Sequence, residues 1–241
     1  MSKTFLERLF TIESDRDKQL KIGPSEIGSP CDICVQEALF RTEASKRGRW
    51  WVAARIGTAV HLDQEHTIND LNVDYGVSEK IRTECKTTVG HLEGYGDIRG
   101  SYDALIPPNK NTFYPTNEWT LEDTKTTDKD KLKWIKQAVL FEPKENENKF
   151  LRRARFNLEK YVGQGHMYAR GVRAEGVPVE KILFSFLARD VKDDTAFFDW
   201  EIPFIHEHAE SVWGRLEEIW CAGANVEYEA HPDCFEHGGV H

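Results

Sequence analysis

The chain has 241 residues, 39% of them hydrophobic and 30% charged, and a formal net charge of −9. That length and balance suit one sizeable core and exclude a disordered or fibrous chain. The sequence holds no run of about eighteen apolar residues, and Met1 to Phe10 lack a long apolar region and a small-residue cleavage site, so the expectation is a cytoplasmic protein without a membrane partner.

In chain order, Phe5 to about Lys21 reads as helical. A Gly23-Pro24-Ser25 break follows, with Ser25 placed to cap a short helix holding Glu26 and Ile27. A second helix is predicted from about Trp50 through Asn69. On it Gly57 lies one turn before His61, where a small residue lets another backbone approach. Three strand-like runs come next: Asp74 to Thr83, His91 to Ile106 and Trp119 to Thr126. The first two are expected to form a hairpin through Lys86 to Gly90. Residues 128–148, rich in lysine and glutamate, read as a mobile flap or an ordinary surface excursion. A long helix over about Asn148 to Glu175, strands at Lys181 to Ala188 and Phe197 to Ile202, and an amphipathic helix from His206 to Cys221 complete the chain. The pattern is α/β (α+β): a central mixed β-sheet flanked by helices in a single domain over 1–241, its core at about 23–237 behind a helical segment at 1–22.

Charge is unevenly distributed. From Lys125 to Arg173 there are 13 Lys/Arg against 6 Asp/Glu, a local +7, which leaves 19 against 35, or −16, elsewhere. Because fields are screened over roughly 10 Å at 0.1 M salt, such a basic band can serve a polyanion in an acidic chain. Read as a lone feature, it is equally a solvated helical face.

Four short signals occur in order: Gly57-x-x-x-His61, Gly100-Ser-Tyr-Asp103, Asp123-Thr-Lys125 and Gln164-x-x-x-Tyr168. Two carboxylates and an imidazole can hold a divalent cation. A lysine two residues past a carboxylate can meet the water that the cation activates. In a strand Trp119, Leu121, Asp123 and Lys125 share one face, so Asp123 and Lys125 point the same way, while Glu122 faces the other side unless a bulge turns it. Taken singly, Asp-x-Lys reads more often as a surface salt bridge, and the two helical signals as packing.

This series resembles the PD-(D/E)xK nuclease superfamily, in its RecB-like branch with CRISPR-adaptation-type and phage exonucleases, over roughly Gly23 to His237. The resemblance implies a restriction-endonuclease-like core. It implies Mg²⁺ or Mn²⁺ held by His61, Asp103, Asp123 and the backbone carbonyl of Thr124, with Lys125 as the catalytic lysine and Gln164 and Tyr168 touching DNA near the scissile phosphate. Here Asp123 stands where Glu is more frequent, and nineteen residues separate it from Asp103. The implied activity is a metal-dependent DNA exonuclease of recombination or repair, of phage type, working beside a recombination or single-strand-annealing protein. A non-catalytic DNA-binding module on the same fold and an endonuclease are the alternatives.

The cysteines add a second pattern. Five are an odd number, which argues against a disulfide framework and leaves metal ligation or burial. Cys31-Asp-Ile-Cys34 near the start and Cys234-Phe-Glu-His237 near the end each have two-residue spacing, as a tetrahedral Cys3His zinc site requires. Many members of the resembling branch clamp these ends with an iron-sulfur cluster from one early and three late cysteines. The count here differs, and such a cluster would have to recruit Cys221. Arg152, Arg153 and Arg155 are candidate phosphate contacts. Trp50 and Trp51, beside Arg47, Arg49 and Arg55, could stack on bases, although core packing is the commoner use of such rings.

Overall fold

The computed structural model describes residues 20–43, 51–74, 80–110 and 114–238. Most of the predicted helix from Phe5, together with Arg47, Arg49, Trp50 and the side chain of Trp51, lies outside the described residues.

The first described element is the short helix α1 (Pro24–Ile27). Its N-cap is Gly23 and not Ser25: Pro24 has no N–H to be capped and takes the first helical position, while Glu26 reaches back to the Gly23 N–H at 2.9 Å. Helix α2 (Asp32–Phe40), which the sequence reading did not contain, starts at Cys31 as its N-cap and buries Val35, Ala38 and Leu39. Helix α3 spans Trp51–Asp74.

Strands β1 (Arg82–Leu92) and β2 (Gly96–Ile106) form an antiparallel hairpin. This corrects the expected strand at Asp74 to Thr83 and the expected turn at Lys86 to Gly90. Thr87 and Val89 are buried within β1, and the ring of Trp213 lies where a Cβ on Gly90 would be, so this stretch has to continue as strand. The chain reverses instead around Gly94, where positive φ values at Gly94 and Gly96 suit glycine.

Strand β3 (Trp119–Thr127) pairs antiparallel with β2 and parallel with β4 (Val179–Ala188), and β5 (Phe197–Pro203) closes the edge antiparallel to β4, giving the order β1-β2-β3-β4-β5. The sheet is therefore mixed, as expected. Between β3 and β4 run helix α4 (Lys129–Leu140) and helix α5 (Lys149–Ala174). Helix α4 occupies the segment expected as a flap or excursion. It is instead an amphipathic element, capped by Asp128 and packed through Leu132, Ile135 and Ala138. Helix α6 (His206–Ala222) buries Ala209, Trp213, Leu216 and Ile219, a helical repeat that lays it against α5 and α2. Among the described residues no helix is long and apolar enough to cross a membrane.

Strand alternation sets the two faces. Glu122, Thr124 and Thr126 point to α3, where Gln64 bonds the first two and Gly57 lies against the third. Asp123 and Lys125 point to α5, where Lys125 meets Gln164. A Cβ on Gly57 would come 3.3 Å from Thr126 Oγ1, the close approach expected of that small residue. Thus α3 and α5 sandwich β3, and the chemistry-bearing strand lies in the middle of the sheet.

Candidate metal centre

Strands β2 and β3 are paired only over Ala104↔Glu122, Leu105↔Leu121 and Ile106↔Thr120. Beyond that point they part, and Asp103 and Asp123 are the first residues past the fork. In place of a ladder bond, the Thr124 N–H donates to Asp103 Oδ2 at 2.7 Å. The opening lets His61, arriving from α3, reach through to Asp103, with Nδ1 2.9 Å from Oδ1. His61, Asp103, Asp123, Thr124 and Lys125 are thereby brought to one place.

The electrostatics follow from burial and these partners. The Asp103 carboxylate beside it raises the His61 pKa above the ordinary imidazole value, against the opposing effect of burial, and the carboxylates of Glu84 and Asp123 add to the rise. Lys125 Nζ lies 2.7 Å from Asp123 Oδ2 and 3.0 Å from Gln164 Oε1, and 5.0 Å from the centre of the Tyr161 ring. Burial outweighs the lysine at Asp123 and raises that carboxyl. At Lys125 burial works against the ammonium, and the Asp123 carboxylate leads the neighbours that more than offset it, so the lysine stays charged.

On the other face of β3 lies a second network that the sequence did not disclose. Glu122, 3% exposed, accepts from Thr124 Oγ1 at 2.6 Å and from Gln64 Nε2 at 3.0 Å, and Gln64 Oε1 lies 2.9 Å from the same Thr124 hydroxyl, whose single proton the two acceptors share. Burial pushes the Glu122 carboxyl up to about 7, with the Thr124 bond opposing. This network fastens α3, and so His61, to the strand that carries Asp123. A further carboxylate, Glu84 of β1, also converges here, its ligand atom within 4.8 Å of those of His61 and Asp103.

Gln164 and Tyr168 are each 6% exposed. Gln164 Nε2 donates to the Tyr168 hydroxyl at 3.3 Å while its Oε1 takes the lysine, so the pair supports Lys125 from beneath and does not form an open DNA-contacting surface. Tyr168 fits because Gly100 has no Cβ: one there would lie 2.7 Å from the Tyr168 ring and from Pro24.

The arginines lie elsewhere. Arg155 binds Glu147 through Nε and Nη2 and donates to the carbonyls of Ala138 and Phe141, which makes it a latch between α4 and α5 and removes it from the phosphate-facing set. Arg152 pairs with Asp233, and Arg153 stacks 4.0 Å from the Phe235 ring. Both are eleven or more residues before Gln164, roughly 17 Å along the helix axis, and they reach the C-terminal segment.

That segment meets the start of the chain. The Sγ atoms of Cys31, Cys34 and Cys234 lie within 4.8 Å of one another, and Cys34 Sγ is 3.4 Å from Cys234 Sγ without a disulfide. His237 lies within the same distance of Cys34, its Nε2 3.2 Å from Glu37. Burial, aided by the neighbouring sulfurs, raises the Cys34 thiol. At Cys234 burial works the same way, but N–H groups of His237 and Glu236 donate to the sulfur and carry it below the ordinary thiol range. Gly238 closes this turn: a Cβ there would lie 2.6 Å from three carbonyl oxygens. Cys221 is exposed on α6 and Cys85 lies in β1, outside this group.

Both donor sets fit metal ions by their chemistry. Oxygen donors with one imidazole suit Mg²⁺ or Mn²⁺, and three sulfurs with one imidazole suit Zn²⁺.

No protein-family model and no curated protein matches the sequence. Among solved structures the fold aligns with SSO0001 (TM-score 0.46, 14% identity, over 93% of this chain and 84% of that one). It also aligns with an alkaline exonuclease from Laribacter hongkongensis (0.45, 12%, over 86% and 91%). A phage related exonuclease from Haemophilus somnus 129PT gives 0.43 and 11%, over 90% and 85%. Its mixed five-stranded sheet flanked by helices is the α/β architecture expected from the sequence.

Proposed function

We propose that this protein is a divalent-metal-dependent DNA exonuclease. The observation that supports it most directly is the fork, where His61, Asp103 and Asp123 converge beside a charged lysine held between Asp123 and Gln164. A cation bound by His61, Asp103, Asp123 and the Thr124 carbonyl would supply a lowered water pKa and charge neutralisation at the phosphate. Lys125 contributes a fixed positive charge where negative charge grows on the phosphoryl oxygens, in a setting that excludes much of the water which would screen it. Gln164 fixes the ammonium, and the Asp103 carboxylate lies 2.9 Å from the imidazole. End-dependence, and a role in recombination or repair, follow from the family resemblance.

The same reading assigns Cys31, Cys34, Cys234 and His237 to a structural Zn²⁺ that joins segments about 200 residues apart. Three sulfurs within 4.8 Å of one another, without a disulfide, support it.

The test is incubation of the protein with end-labelled linear DNA and closed circular DNA in Mg²⁺ or Mn²⁺, alongside Asp123→Ala and Lys125→Ala. Release of nucleotides from linear DNA alone, lost in both variants, is the expected result. Cutting of the circle would make it an endonuclease, and binding without variant-sensitive cleavage would make it a non-catalytic module.

A further inference from the structure

Thr83 pairs with Ala104 and Cys85 with Tyr102, so Glu84 stands opposite Asp103 across the β1/β2 hairpin. Extending the β2/β3 register by one step puts Asp103 opposite Asp123. Three acidic residues therefore occupy one row across three adjacent strands. Like charges directly opposite one another destabilise a sheet, so the row calls for compensation. His61 enters at its centre, within 4.8 Å of both Glu84 and Asp103.

Resting on the nuclease reading above, we infer that Glu84 is a further ligand of the cation held at the fork, completing a set of one imidazole and three carboxylates. Glu84 leaves the strand conformation at φ 48°, alone among the described non-glycine residues in having positive φ. Carboxylates with one imidazole are donors that Mn²⁺ accepts readily, which makes it a suitable probe.

The experiment titrates the full chain with Mn²⁺, following the free ion by electron paramagnetic resonance. It compares wild type, Glu84→Gln and Asp103→Asn, with thermal melts of each in chelator. Glu84→Gln is expected to bind Mn²⁺ at least tenfold more weakly, a change of about 1.4 kcal/mol, while the melts in chelator show that each variant is folded. Unchanged Mn²⁺ affinity in Glu84→Gln, with binding lost in Asp103→Asn, would overturn the Glu84 assignment and leave the nuclease reading standing. Wild type that binds no Mn²⁺, or Asp103→Asn that binds like wild type, would overturn both.

Discussion

Gly28 and Gly163 meet backbone to backbone: a Cβ on Gly163 would lie 2.8 Å from Gly28 Cα, and one on Gly28 would lie 2.4 Å from the Lys160 carbonyl and 2.5 Å from the Gln164 nitrogen. This contact docks the end of α1 on α5 one residue before Gln164. The position of the glutamine that holds Lys125 is thus set by two residues with no chemistry of their own.

Gly163→Ala is accordingly expected to destabilise the protein, although alanine favours a helix over glycine by about 1 kcal/mol. The added methyl meets backbone, which cannot swing aside, and overpacking of that kind costs about 1–3 kcal/mol. Gly214 of α6 is the internal control: nothing lies within 4 Å of its Cβ position, so Gly214→Ala should stabilise by about 0.5–1 kcal/mol. Urea unfolding of the two variants checks this, and shifts in the same direction would refute it.

Gln164→Ala tests whether Gln164 supports the lysine or contacts DNA. Loss of a hydrogen bond to a charged group is worth about 1.5–3 kcal/mol, roughly ten- to a hundredfold in rate. Because Gln164 is buried beneath Lys125, that loss should appear in kcat with KM little changed. A mainly raised KM would instead mark it as a substrate contact.

The sequence disclosed strand β3 and the shared face of Asp123 and Lys125, because strict alternation in a buried strand leaves little freedom. It also pointed to Cys31, Cys34 and Cys234, whose sulfurs lie within 4.8 Å of one another, while His237 comes within that distance of Cys34. The register of β1 was not legible. Its turn depends on Gly94 and Gly96, while Gly90, which looked like a turn residue, is required by the Trp213 ring packed on it. Missing that register hid Glu84, whose place opposite Asp103 exists only once the two strands are aligned. Helix α4 was hidden by its lysines, which mask a buried stripe of three residues.

Cys34→Ser should remove a stoichiometric zinc, measured by elemental analysis of the purified protein, which is expected to be colourless in the wild type. Metal binding that joins distant segments contributes to folding directly. A loss of about 3 kcal/mol would lower Tm by roughly 6–12 °C at this chain length. Brown protein containing iron would assign a cluster to these sulfurs, and an unchanged Tm with no metal in either protein would leave them as buried thiols.

His166, on α5, is 1% exposed. Its Nδ1 donates to the Val162 carbonyl at 2.8 Å, so Nε2 carries the lone pair that accepts from the Ile205 N–H at 3.2 Å. A second proton would break the Ile205 bond. Burial lowers the His166 pKa to about 4, and the His208 ring, 4.5 Å away, adds to that. In the unfolded chain the imidazole takes up its proton near pH 6.5. Between these values the unfolded state holds more protons, so the His166 contribution is present in full above about pH 6.5 and is lost as pH falls toward 4, up to about 3 kcal/mol. His208 is shifted downward as well and acts in the same sense. Urea unfolding at pH 7.5 and pH 4.5 should show wild type losing about 2 kcal/mol more than His166→Gln on acidification, because the variant has no imidazole there to charge. The difference between the two proteins isolates His166 from carboxylates that titrate over the same range. Parallel losses would mean that the buried imidazole already carries its second proton in the fold, and that the Ile205 hydrogen bond does not hold it neutral.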